Sequence, residues 1–369
     1  MTKTYKIFTI NPGSTSTKIA MFENDNRLFA VNVSHDAAEL SKFAEISDQF
    51  DYRKETILSE LAKQNITLDG TDAFVGRGGG LVGLEGGTYT VNETLFKHAK
   101  IGFTIKHPAT LGSQLARFFA NQYGGIALVV NPPDVDELQL VARVTGIASV
   151  ARESRGHPLN QKEIGIRYAA SIGKKYEDLN LVISHIGGGV SVTAHQKGRM
   201  IDSNDVVNGD GPMAPTRAGS IPCKDIINMC FSGDYTKKQM MDFLTKNGGF
   251  VDHVGTSDAR EVKAMMESGN AYAKLIYDAM IYQIGKFIGA YATTMHGKVD
   301  AIILTGGIAN DNYLTSQVTE MVSFIAPVKV MPGEFEMEAL AAGAFRVLSG
   351  QEQPKEYTGI PVFTGFKRD

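Results

Sequence analysis

Apolar and polar residues alternate from the first positions onward. Residues 5–10 (YKIFTI) run to Asn11-Pro12-Gly13, residues 17–22 (TKIAMF) resume the alternation and residues 28–33 (LFAVNV) repeat it, which predicts three antiparallel strands. The period then changes. Within residues 110–122, Leu111, Leu115, Phe118 and Phe119 recur at helical spacing, the pattern stops at Gly124-Gly125, and an apolar run at 126–130 predicts another strand. A second cycle begins at residues 181–185 (LVISH), turns through Gly187-Gly188-Gly189 and returns as 190–194 (VSVTA). Ile276, Met280, Ile284, Phe287, Ile288 and Tyr291 mark a long amphipathic helix, and the buried-type strand at 301–305 (AIILT) breaks at Gly306-Gly307. The pattern predicts an α/β protein of two similar halves facing a cleft, divided near residues 150–160, where the chain is polar and irregular.

Length and charge narrow the field. A chain of 369 residues is about two domains long, and 43% hydrophobic with 21% charged residues is a globular composition. Thirty-seven basic against 40 acidic residues give a net charge of −3, so no broad positive field favours nucleic acid or a membrane surface, and any polyanion bound should be small. The start lacks the basic head and apolar stretch of a signal peptide, and no apolar run approaches the roughly 18 residues of a membrane span, so a cytoplasmic location is expected. Two cysteines, Cys223 and Cys230, suggest neither a disulfide framework nor a zinc site and are expected to be buried thiols.

Several segments could carry chemistry. Asn11-Pro12-Gly13-Ser14-Thr15-Ser16-Thr17-Lys18 places small hydroxylated residues in a strand-to-strand turn, suited to phosphate oxygens; it reads equally as an ordinary hairpin, and it is not a P-loop. Arg77 follows a strand at 73–75 and precedes Gly78-Gly79-Gly80, where an anionic small molecule could lie against the backbone; a solvated surface arginine is the alternative. His185 ends a buried-type strand just before three glycines, and Arg217 sits in a conformationally restricted loop, residues 209–222 (GDGPMAPTRAGSIP). Gly306-Gly307-Ile308 would let a flat ligand approach the main chain, and Glu334, Glu336 and Glu338 are candidate Mg²⁺ carboxylates or ordinary helix caps.

In order along nearly the whole chain, these segments resemble the acetate and butyrate kinase family of the actin/Hsp70/sugar-kinase superfamily. IFTINPGSTSTKIAMF is similar to its first phosphate motif, LVISHIGGGVSVTAHQKGRMID to its second and ILTGGIAN to its adenosine motif; GRGGGL, RESRGHPLNQ, GDGPMAPTRAGSIP and PGEFEMEALAAG look most like the butyrate kinase branch. The resemblance implies two ribonuclease H-like α/β domains flanking a nucleotide cleft. Residues 1–155 would form an acid-binding and first-phosphate domain and 156–345 the nucleotide domain, with a C-terminal helix at about 345–369 packing back on the first. It implies ATP/ADP and Mg²⁺ as cofactors, a short-chain carboxylate and its acyl phosphate as substrates, and a homodimer or larger assembly.

The resemblance also assigns roles. Asn11 would lie near the transferred phosphoryl group and metal, Arg77 and Arg217 would hold the acid and its phosphate, and His185 would donate to phosphoryl oxygens. Gly13, Ser14, Thr15 and Gly187, Gly188, Gly189 would lie along the nucleotide phosphates, Gly306, Gly307 and Ile308 beside adenosine, and Glu336, or else Glu338, at the metal. Gly78, Gly79 and Gly80 would contact the acid, with Gly79 making room for the third and fourth carbons of butanoate. Two departures stand out: Asn131-Pro132-Pro133-Asp134 replaces an expected aspartate, and Gly156 before His157 replaces an aromatic residue.

Overall fold

The computed structural model describes residues 3–367; Met1, Thr2, Arg368 and Asp369, where the first predicted domain begins and the predicted tail helix ends, lie outside the described residues. The chain forms two compact units, Met1–Asp136 with Phe335–Asp369, and Glu137–Glu334.

In the first unit β1 (Lys6–Pro12), β2 (Ser16–Glu23) and β3 (Asn26–Ser34) form an antiparallel meander, and β4 (Ala73–Gly76) and β6 (Ile126–Val130) extend it in parallel beyond β1, with β5 (Thr88–Thr90) antiparallel on β6. The order is β3-β2-β1-β4-β6-β5. The short apolar run of β4 is buried throughout, as a strand covered on both faces requires. The helix Thr110–Tyr123 turns Leu111, Leu115 and Phe119 onto Phe8, Ile10 and Phe74 to make the core.

The second unit repeats the plan. There β7 (Asn180–Ile186), β8 (Val190–Gln196) and β9 (Arg199–Ser203) form the meander, and β10 (Ala301–Thr305) and β11 (Val328–Val330) continue it in parallel, in the order β11-β10-β7-β8-β9. The long helix Ala271–Thr293 buries Ile276, Met280, Ile284 and Ile288 against β7, β8 and β10. Both units are mixed α/β, with the same order of three antiparallel and two parallel strands. Among the described residues no helix is long and apolar enough to cross a membrane.

Four expectations need correction. The chain passes to the second unit at Glu137, ahead of the expected division at residue 155, because Glu137 accepts from Met200 N at 2.8 Å and pairs with Lys162 at 2.8 Å, both within that unit. The polar stretch that suggested a boundary is wired into the same unit through Arg152, which reaches Asp202 at 2.9 Å and the Ser203 carbonyl at 2.6 Å. The C-terminal helix is Glu336–Leu348 and not 345–369, since Pro354, Gly359 and Pro361 interrupt the residues beyond it; that last segment runs irregularly along residues 82–88, with Lys355 N on Thr88 O at 2.7 Å and Val362 N on Gly83 O at 2.9 Å. Cys223 and Cys230 are exposed, on a helix (Cys223–Phe231) without a buried residue.

Candidate active site

In the first unit the end of β4 presses against a helix. A Cβ on Gly76 would overlap the Gly112 carbonyl and one on Gly112 would stand 2.6 Å from Arg77 N, so two glycines let the helix Thr110–Tyr123 seat flush against the strand and fix where Arg77 leaves it. Arg77 is 8% exposed, and its Nη1 is buried with no hydrogen-bond partner. Its Nε lies 4.0 Å from Glu336 Oε1, while Asn11 Nδ2 donates to Glu336 Oε2 at 2.6 Å. Burial lowers the Arg77 pKa, opposed by the charges of Glu336 and Asp134.

Asn11, Arg77 and Glu336 thereby line one cavity of about 280 Å³ with Gly13, Ser16, Lys18 and His107, and Ala109 and Pro133 supply apolar wall. Ser14 and Thr15 are exposed on the adjoining turn. Gly78 and Gly80 are glycines for backbone reasons: φ is +65° and +73°, and added Cβ atoms would meet Val129 Cγ1 at 2.5 Å and Thr110 Cγ2 at 3.0 Å. Gly79, at φ +141°, has room, with Pro133 and Thr110 the first atoms met at 3.9–4.0 Å. Its backbone would nonetheless strain any side chain.

The three glutamates and Asn131 have separate surroundings. Of the three glutamates, Glu336 joins Asn11 and Arg77, Glu338 pairs with Arg27 at 2.9 Å, and Glu334 lies on a cavity of the second unit. Asn131 is a clamp, at φ +38°, accepting from Gly87 N at 2.8 Å and donating its own N–H to Gly87 O at 3.0 Å. The buried carboxylate whose charge reaches Arg77 is Asp134, which accepts from Leu81 N at 3.2 Å.

In the second unit β7 delivers His185, 5% exposed. Its Nδ1 meets Asn160 Oδ1 at 2.8 Å, and Asn160 Nδ2 in turn donates to the Glu334 carbonyl at 2.5 Å, so the amide oxygen faces the ring and Nδ1 carries hydrogen. His157 stacks on His185 with ring centroids 4.0 Å apart. A Cβ on Gly187 would lie 3.2 Å from His185 Nε2, which places that nitrogen beneath the glycine turn. Thr216 N and Oγ1 both donate to Gly188 O, at 3.3 and 2.9 Å, tying the Arg217 loop to the same turn, and the Arg217 guanidinium occupies the space where a Gly189 side chain would stand. Burial lowers the Arg217 pKa, and its Nε has no partner.

The sequence signature of the acetokinase family matches residues 156–342, just over half of the chain. The chain belongs to the acetokinase family. An acetate kinase from Porphyromonas gingivalis has the same fold at 18% identity, with a TM-score of 0.76 over 93% of this chain and 99% of that one. A propionate kinase from Francisella tularensis subsp. tularensis SCHU S4 (17% identity, TM-score 0.68, 92% and 98% covered) and an acetate kinase from Entamoeba histolytica (16%, 0.71, 92% and 98%) share it. As an acetokinase-family protein the chain is a carboxylate kinase, a phosphotransferase with a carboxyl acceptor.

The acetokinase fold places further groups that sequence reasoning missed. A cavity of about 940 Å³ in the second unit is lined by Gly187, Gly188, Gly307 and Ile308, and also by Lys263 and Asp311, which form an ion pair, and by Tyr277, whose hydroxyl donates to Asp311 at 2.6 Å. The available signal was Asp311 as the N-cap of the helix Asn312–Val322, too common a pattern to single out. Gly306, at φ +92°, lets the end of β10 close on the backbone of Ile186, where an added Cβ would stand 2.4 Å from the Ile186 carbonyl oxygen. Among the described residues no trio of His, Cys, Asp or Glu could hold a metal alone. One carboxylate with an asparagine amide, Glu336 and Asn11, fits Mg²⁺, which keeps most of its shell as water and substrate phosphate.

Proposed function

We propose that this carboxylate kinase interconverts butanoate + ATP and butanoyl phosphate + ADP by direct in-line transfer. The observation that carries the reading is Arg77: a buried guanidinium lines a small cavity in which Ala109 and Pro133 stand as apolar wall among the polar groups of Asn11, Ser16, Lys18, His107 and Glu336. A carboxylate would pair with that guanidinium and a short alkyl tail would suit Ala109 and Pro133. The carboxylate oxygen is already a nucleophile, so no general base is needed; what the chain supplies is alignment and positive charge around a metaphosphate-like group.

In this reading Arg77 orients the acid, and Arg217 and His185 stabilise the phosphoryl oxygens in flight. His185 Nδ1 is engaged by Asn160, so donation from Nε2 calls for the protonated ring. Residues 187–189 run along the nucleotide phosphates and residues 306–308 beside adenosine. Asn11 and Glu336 would hold Mg²⁺, which when bound supplies neutralisation of phosphate charge. The family resemblance extends the proposal to a cytoplasmic homo-oligomer, to be read by sedimentation. The deciding experiment is kcat/KM for straight and branched C2 to C6 acids with ATP and Mg²⁺: a maximum at C4 supports butanoate, and a maximum at C2 removes it.

A further inference from the structure

Beneath the turn between β1 and β2 lies Arg53, fully buried on the helix Phe50–Lys63. Its Nη2 donates to the Ser14 carbonyl at 3.2 Å, its Nη1 to the Ser16 carbonyl at 3.3 Å and to Thr17 Oγ1 at 3.1 Å, and its Nε to Gln49 Oε1 at 3.1 Å. The Thr15 carbonyl is taken by His35 N at 2.9 Å. Three successive carbonyls of the turn are thus anchored, the Ser16 carbonyl also accepting from Gly13 N at 2.7 Å across the hairpin. In a trans peptide the C=O and the following N–H point to opposite sides, so anchoring the carbonyls of Ser14 and Thr15 inward aims the N–H groups of Thr15 and Ser16 outward. Outward N–H groups in a turn form an anion receptor.

The charge of Arg53 points the same way. All four of its partners are neutral groups, so a full positive charge is buried against them without a carboxylate, a costly arrangement unless an anion comes near. Its field is felt around the site: the His35 pKa is lowered to about 4 by burial and then by Arg53, and that of His107, on the cavity with Arg77, is lowered by desolvation, then by Arg77 and Arg53.

We propose that Arg53 is a positioning residue for phosphoryl transfer, which holds the Ser14 and Ser16 carbonyls inward on either side of the Thr15 carbonyl that His35 N anchors, so that the turn offers its N–H groups to a phosphate, with a buried positive charge behind them. The inference rests on the carboxylate-kinase reading of this chain. The test is steady-state kinetics of Arg53→Ala and Arg53→Lys in the full-length protein, normalised to the folded fraction measured by calorimetry. Expected is a loss of kcat of about 100-fold in Arg53→Ala with KM for the carboxylate within about threefold, and partial recovery on adding guanidinium or in Arg53→Lys. A merely structural role would lower only the folded fraction. Should Arg53→Ala not fold, Gln49→Leu loosens the guanidinium without touching the turn, and a several-fold lower kcat at unchanged carboxylate KM is the expected result. Wild-type kcat per folded molecule in Arg53→Ala, or in Gln49→Leu if that is the variant available, overturns the proposal. Wild-type protein inactive on every short acid instead overturns the kinase reading, which keeps the two failures apart.

Discussion

A methyl group on Gly189 tests the site without removing any charge. Gly189 is buried, and a Cβ there would stand 2.6 Å from Arg217 Cζ and closer still to Nη1, whereas ordinary contact begins at 3.4 Å. With Nη1 only 1.8 Å from that Cβ the guanidinium must retreat by more than about 1 Å, and it is the free end of a flexible side chain whose Nε has no partner to resist. Folding should barely notice, with a change within about 0.5 kcal/mol. Catalysis should, because a charge displaced by about 1 Å from a transferring phosphoryl group costs on the order of 100-fold in rate, or about 2.7 kcal/mol. The assay is acyl phosphate formation from butanoate and ATP, trapped as the hydroxamate, alongside thermal unfolding. If Gly189→Ala retains kcat/KM within about threefold of wild type, Arg217 is not the charge the reaction uses. A parallel fall in stability would equally refute the reasoning, since the substitution would then act on the fold.

Arg77→Ala should cost about 3 to 5 kcal/mol of transition-state stabilisation, and Arg77→Lys should restore little because the planar fork is lost; kcat/KM across C2 to C4 acids measures both. Glu336→Gln should raise the Mg²⁺ concentration for half-maximal activity by about tenfold, whereas Glu338→Gln, which loses only a pairing with Arg27, should leave it unchanged. His35, 6% exposed, has its pKa lowered to about 4, so the unfolded chain takes up this proton near pH 6.5 while the folded one resists it. Stability is thus full above that range and lost as pH falls toward 4, by about 2 kcal/mol between pH 7 and pH 5 from this group. Urea midpoints of wild type and His35→Gln at the two pH values should differ in slope by that amount.

The local pattern was enough to place the β1–β2 turn, the glycine breaks after β7 and β10, and the arginine and histidine at strand ends, because strand alternation and glycine punctuation are properties of neighbouring residues. The shared outline of the two halves, an apolar strand, a small-residue turn and a second strand, was legible for the same reason, whereas the order of the strands in each sheet came only from their pairing. Which glutamate belongs to the site was not: Asn11 and Glu336 meet across 325 residues, and nothing within the PGEFEME segment separates Glu336 from its neighbours two positions away. The exchange of an expected aspartate for Asn131 looked like a loss, and only the fold shows Asp134 as the buried carboxylate near Arg77, with Asn131 closing on Gly87. Arg53 carried no signal, since an arginine in an amphipathic helix reads as solvated until the turn it holds is laid over it. Chain-local physics determines where strands and turns occur; which side chains share a cavity depends on how distant elements pack, and that only the tertiary structure decides.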